Sequence, residues 1–247
     1  MIRVSRNIFF ITLLLISTVA NAQKFGFGCL GLSGFYVGMS EYHYDTPGLN
    51  DFANSELLLS NFAAEDQVKF NLGSGYRVGA NFFRAKWDKV FITAKGYYQF
   101  LKEEHTVNSP GGSSLAQQKY MLNMNHWGIA VDIGIPLTSF LDWKILEGGV
   151  SFFNAELTQQ KYENNSLKDE FKFSPEKAKA TYFAATGIII HIVPDYMSLE
   201  GTGGYYFMKI EEFKNQSNLA VGSGIINNAI PKGGWSATLQ INISFPF

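Results

Sequence analysis

The sequence predicts an all-β protein, an eight-stranded antiparallel up-and-down barrel that crosses a membrane. Three observations predict it. Apolar and polar residues alternate with period two in eight successive segments from Gly31 to Phe247, which places the apolar set on one face of a strand and would scatter it around a helix. The connections alternate in length: 85–88, 136–142 and 194–195 are short, while 45–69, 105–118, 161–178 and 213–233 are long and polar. Short turns at one end and long loops at the other are the arrangement of an outer-membrane barrel, with periplasmic turns and extracellular loops. Finally, the segments run to 14–18 residues, more than a bilayer requires, so strands that project beyond the outer leaflet are expected.

Composition narrows the class further. Hydrophobic residues make up 46% of the 247, aromatics 15% and charged residues only 17%. So much apolar surface excludes disorder, and so little charge excludes a coiled coil. Lys plus Arg number 20 against 21 Asp plus Glu, leaving no basic excess for nucleic acid. A single cysteine excludes an internal disulfide framework and a cysteine-based zinc cluster. Residues 1–22 read as a cleaved signal peptide: Arg3 and Arg6, an apolar core from Ile8 to Ile16, then Ala20-Asn21-Ala22 before Gln23. The barrel domain is therefore 23–247. Cys29 has Gly26 where a lipobox wants Leu, and reads as a free thiol.

The elements follow in order. In 31–44, Phe35, Val37 and Met39 oppose Gly34, Tyr36, Gly38, Ser40 and Tyr42. In 70–84, Leu72, Tyr76, Val78, Ala80 and Phe82 oppose Gly75, Arg77, Gly79 and Asn81. In 89–104, Val90, Ile92, Ala94, Tyr98 and Phe100 oppose Thr93, Lys95, Tyr97 and Gln99. In 119–135, Trp127, Ile129, Val131, Ile133 and Ile135 oppose His126, Gly128, Ala130, Asp132 and Gly134. Segments 143–160 and 179–193 alternate less cleanly. Glu147 and Glu156 cannot both face inward in one register, so a bulge is expected near Phe152-Phe153. In 196–212, Met197, Leu199, Tyr205 and Phe207 oppose Ser198, Glu200, Thr202 and Tyr206. The last segment sets Trp235, Ala237, Leu239, Ile241, Ile243, Phe245 and Phe247 against Ser236, Thr238, Gln240, Asn242 and Ser244. Pro47 to Phe62 breaks the pattern. Asn50 or Asp51 could cap a short helix there carrying Phe52, Ala53, Leu57, Leu58 and Phe62, either packed on the rim or acting as a lid or docking element.

The closing run Leu239-Gln240-Ile241-Asn242-Ile243-Ser244-Phe245-Pro246-Phe247 resembles the terminal strand of small outer-membrane β-barrels of Gram-negative bacteria, especially the Bacteroidota type. The resemblance spans Gly31 to Phe247. It implies an integral outer-membrane location and an assembly signal in Ile243, Phe245 and Phe247, read by the barrel-assembly machinery. Pro246 departs from the commonest form of that strand. The partners it implies are outer-membrane lipid, lipopolysaccharide and an extracellular ligand met by the loops. It carries no catalytic motif, since the architecture serves adhesins, stabilising proteins, narrow channels and lipid-modifying enzymes alike.

The inward faces offer Arg77, Lys95, Asp132, Glu147 and Glu200. Eight strands enclose a lumen just wide enough to be filled by side chains, so these charges are expected to pair in a polar network that seals it. The histidines His43, His105, His126 and His191 show no metal-ligand spacing. Neither His126-Trp127-Gly128 nor His191-Ile192-Val193 matches the His and Ser two apart of the deacylase type. A rim grouping of His43 and His105 with Glu41, Glu103 and Glu104 has no spacing to support it. Trp87, Phe140, Trp143 and Phe247 are expected at the inner interface, and Tyr98, Tyr205 and Trp235 nearer the outer one. The reading is a non-catalytic outer-membrane barrel with no cofactor and no metal, whose loops serve interaction or envelope stabilisation. The alternatives are a narrow pore or carrier for a small or apolar solute and, behind it, a lipid-modifying enzyme.

Overall fold

The computed structural model describes residues 32–60, 62, 67–87, 89–109, 116–216 and 224–245. The expected signal peptide, Cys29, Pro246 and Phe247 lie outside these, as does the side chain of Trp87. The strands are β1 (Gly34–His43), β2 (Leu72–Trp87), β3 (Val90–Asn108), β4 (Ala116–Pro136), β5 (Leu141–Glu163), β6 (Ser166–Ser174), β7 (Lys179–Val193), β8 (Met197–Tyr206), β9 (Ile210–Asn215), β10 (Ile225–Ile230) and β11 (Gly234–Ser244), with one helix, α1 (Pro47–Leu59). Eight strands close an antiparallel barrel in the order β1–β2–β3–β4–β5–β7–β8–β11, and β11 returns to β1. The period-two faces separate as the pattern requires. In β11, Thr238, Gln240 and Asn242 are buried in the lumen, while Leu239, Ile241 and Ile243 are exposed on the outside.

The long-loop end is more ordered than its polarity suggested. β3, β4 and β5 reach 19, 21 and 23 residues, so both sides of the expected loop 105–118 are strand, β3 through 108 and β4 from 116. Likewise 161–178 holds the turn Asn164-Asn165 and β6, and 213–233 holds β10. β5 forks the wall: residues 141–153 pair with β7, and 157–163 pair with β6. β6 then pairs with β9 and β9 with β10. The reason is solvation. Beyond the apolar band the outer face of a strand meets water and carries Lys and Glu, so a paired strand there has the composition of a loop.

Two bulges, in β5 and β2, reset the inside–outside alternation near the short turns, and a third register shift falls at Ile192 in β7. In β5, Leu146 opposes Ile133 and Lys144 opposes Gly134, so the extra residue is Ile145. The expected bulge at Phe152-Phe153 is absent: Phe152 opposes Trp127 and Phe153 opposes His126 in unbroken register. No shift is needed there, because Glu147 is buried in the lumen whereas Glu156 sits above the band and is partly exposed. In β2, Asn81 opposes Lys95 and Phe83 opposes Ala94, so Phe82 is the extra residue. A bulge re-aims every side chain beyond it. Lys144 and Asp142 turn inward from β5, as do Arg84 and Lys86 from β2, which oppose Thr93 and Phe91.

Helix α1 closes the long-loop end. Its N-cap is Thr46, with Pro47 in the first turn, rather than Asn50 or Asp51. The Thr46 hydroxyl donates instead to the Phe70 carbonyl at 2.8 Å. Asn50 is spent on the returning chain, accepting from the Phe70 N–H at 2.7 Å, and Asn54 exchanges two hydrogen bonds with the Val68 backbone. Leu49, Ala53 and Leu57, four residues apart, lie on one helical face and are buried. They pack into an apolar core with Tyr120, Leu122, Met124, Phe153, Leu157, Phe173, Ile210, Phe213, Ile226 and Ile230. Gly48 lies so close to β10 that a Cβ would fall 2.0 Å from the Asn227 carbonyl oxygen. Leu58, expected on the packed face, is instead 61% exposed. Leu49→Ala should therefore lower stability by about 2–5 kcal/mol, whereas Leu59→Ala, on the exposed side, should leave the denaturant midpoint unchanged; equal effects would mean that α1 is not packed as described.

Candidate functional site

The lumen at the level of the apolar band holds six charged side chains, each nearly inaccessible to solvent: Arg77 from β2, Lys95 from β3, Asp132 from β4, Lys144 and Glu147 from β5, and Glu200 from β8. Lys95 Nζ lies 2.6 Å from Asp132 Oδ2 and 3.4 Å from one oxygen each of Glu147 and Glu200. Lys144 Nζ lies 2.5 Å from Glu147 Oε2 and 3.5 Å from Asp132 Oδ2, and also pairs with Glu200. Arg77 donates from Nε to Gln99 at 3.0 Å and from Nη2 to the Tyr206 hydroxyl at 2.9 Å, lies 3.9 Å from Glu147, and covers the Tyr97 ring at 3.9 Å. Asn242 donates to the second oxygen of Glu200 at 3.1 Å.

The arrangement is three cations against three carboxylates. An isolated charge would cost many kcal/mol in so dry a place, and the opposite charges around each member offset that cost. Ligand atoms of Asp132, Glu147 and Glu200 lie within 4.8 Å of one another, a spacing that a metal ion could use. Both lysine ammoniums already stand among them, so the carboxylate charge is matched by the chain itself.

All five residues singled out from the sequence meet here. Lys144 was missed, because counting back from Glu147 by twos places it outside and only the bulge turns it in. Tyr206 was read as inward, but its contact with Arg77 depends on strands distant in sequence. Above the cluster lies a layer of aromatic rings. His126 stacks on Phe153 at 4.0 Å, Phe183 stacks on Tyr206 at 4.8 Å, and Tyr42 meets Tyr206 edge-on at 5.5 Å. The apolar core under α1 continues from there, so polar cluster, rings and cap fill the barrel in succession. At the long-loop rim, His105 and Glu103 do come together, at 3.0 Å. Glu103 also accepts from the Tyr44 hydroxyl and from the N–H groups of Asn71 and Leu72, fastening the returning first loop.

No family model matches the sequence, and no curated protein matches it. Among solved structures the chain is similar to Ail, the attachment invasion locus protein of Yersinia pestis, in complex with the heparin analogue sucrose octasulfate. The identity is 9%, the match covers 87% of this chain and 98% of that one, and the TM-score is 0.42. It is also similar to Neisserial surface protein A, at 9% identity over 87% and 99% of the two chains with a TM-score of 0.36. The outer membrane protease OmpT from Escherichia coli matches at 9% identity over 87% and 94%, with a TM-score of 0.40. Likenesses this distant carry no residue's role across, and the barrel assignment rests on the strand pairing described above.

Lys144→Met should destabilise the protein by about 3–5 kcal/mol, since it strands a buried carboxylate. Adding Glu200→Gln to it should recover much of that loss, because the cluster is neutral again. Substituting Lys232, which pairs with Asp45 at the exposed rim, should leave the unfolding midpoint in detergent unchanged. A single Lys144→Met substitution without effect would remove the cluster from the account of stability.

Proposed function

We propose that the protein is an integral, non-catalytic barrel of the outer membrane, closed to conduction, whose capped outer end serves interaction or envelope stabilisation. The observation that carries this reading is the inverted solvation of the wall. Phe35, Val37, Met39, Trp127, Ile129, Val131, Ile188, Leu239, Ile241 and Ile243 are exposed on the outside, while the charges are buried within. Such a surface suits acyl chains and not water. Aromatic rings flank the band, as interfacial side chains do. Trp127 stacks on Phe152 at 4.3 Å and Tyr205 meets Trp235 at 5.3 Å toward the long-loop end, while Phe140 and Trp143 are exposed toward the short turns.

On this reading the partners are outer-membrane lipid and lipopolysaccharide around the band, an extracellular ligand at the cap, and the barrel-assembly machinery, which meets Ile243 and Phe245 on the closing strand. The short turns face the periplasm, as do the start of β1 at Gly34 and the end of β11 at Ser244, which pair with each other. The stacked seal favours the non-conducting reading over a pore: a solute would have to part the ion cluster, then the ring layer, then the core under α1.

Two residues on the outward face of β1 test the membrane placement. Val37→Arg, inside the band, should cost roughly 2–4 kcal/mol on refolding into lipid vesicles, and Glu41→Arg, beyond it, about 0–1 kcal/mol. Equal costs would argue for a water-soluble barrel. In planar bilayers the protein should pass no steady current, and a defined single-channel conductance would restore the pore.

A further inference from the structure

At the short-turn end the barrel opens into a pit of about 310 Å³. A narrower pocket shares its residues Asn81, Arg84, Ser198 and Ser244 and ends on Lys95, Asp132 and Glu200. The pit is therefore blind, with the neutral ion cluster as its floor. The two bulges place the charged part of its wall. Without the extra Phe82, Arg84 and Lys86 would continue on the outer face of β2; without the extra Ile145, Asp142 would do so on β5. Bulges are over-represented at barrel rims and beside functional sites, where they re-aim side chains. Here they bring three charged groups of two strands to one mouth.

The charges in the pit are unequally employed. Asp142 is buried, and its Oδ2 accepts from His191 Nε2 at 2.9 Å and from Arg84 Nη2 at 3.5 Å. That one long contact is the only hydrogen bond of the Arg84 side chain among the described residues, although a guanidinium carries five N–H donors. The Phe91 ring, 5.3 Å from the guanidinium carbon, supports the group from one side. Lys86 is exposed at the rim and has no carboxylate partner among the described residues. Asp195, on the β7–β8 turn, is the second acid of the lining.

We propose that this pit binds a small solute through an oxyanion, carboxylate or phosphate, seated on the unused donors of Arg84 with Lys86 at the entrance. A cation would have to compete with Arg84 and His191 for Asp142, whereas an anion displaces no side chain. The planar fork of arginine matches both oxyanions. The volume lies at the low end for ligand sites, which suits a small molecule and not a polymer. The proposed membrane placement enters only in naming the compartment that supplies the solute, the periplasm; binding itself is measurable in detergent whether or not that placement holds.

The test uses the full chain purified in detergent micelles, titrated by calorimetry with citrate and, separately, with inorganic phosphate. Saturable binding of either at millimolar concentration is expected, and the one that binds identifies the oxyanion. Arg84→Gln should weaken binding about tenfold or more, the loss of a hydrogen bond to a charged group, and Arg84→Lys should restore part of it. Asp142→Asn should tighten binding, because it releases the guanidinium from its internal partner. The unfolding midpoint of each variant, measured alongside, separates lost binding from lost structure. The absence of saturable binding by both probes, unchanged affinity in folded Arg84→Gln, or weakened binding in folded Asp142→Asn would overturn the proposal.

Discussion

In this barrel the polar side is the inside, and eight strands leave it no room for a column of water. The six central charges must therefore satisfy one another, and this requirement fixes much else. Arg77, Lys95, Asp132, Glu147 and Glu200 come from five different strands, so the pairing registers of those strands must all be right at once. A slip of one residue in any of them would send its charge into the apolar band and a hydrophobic side chain into the cluster. The ion pairs contribute less to net stability than their number suggests, since each offsets its own desolvation. What they supply is intolerance of the wrong register.

The same logic explains which parts of the fold are legible in the sequence. The wall of the barrel was readable wherever one face met apolar surroundings and the other the filled lumen, as at Trp127 to Ile135 and along β11, because period two then shows directly in the residue types. It failed in two physical circumstances. At the long-loop end both solvent and composition are polar on the outward face, so β6, β10 and the second half of β9 resemble loops, although Phe171 and Phe173 still mark the buried side of β6. At the inner end, bulges shift the phase without announcing themselves, since Ile145 and Phe82 are ordinary outward residues that happen to be doubled with a neighbour. The missed Lys144 and the missed grouping of Arg84 with Asp142 are consequences of those two residues. The inward charges legible in the sequence are two cations and three acids, an imbalance that in a closed lumen points to a third cation.

The molecule contains two fillings of opposite character. The lower is polar and held by charge pairing; the upper is apolar and held by burial under α1. Between them, Tyr97 and Tyr206 have rings that pack against the upper and hydroxyls that hydrogen-bond in the lower, which is how aromatic residues bridge such a boundary. Tyr206 does so most completely, accepting from Arg77 below while its ring faces Tyr42, Phe153 and Phe183.

Helix α1 follows the first strand, yet the strand it leans on, β10, is the last but one. About 170 residues of chain separate the two partners, so their contact carries a large loop-closure entropy until the wall between them exists. The cap is thus a late event in the order of folding. Until it forms, the apolar side of the helix and the upper ends of β4 and β5 are uncovered together. A chain that adds its strands in sequence completes the lid and the closing seam within its last few dozen residues, which couples closure of the wall to closure of the roof.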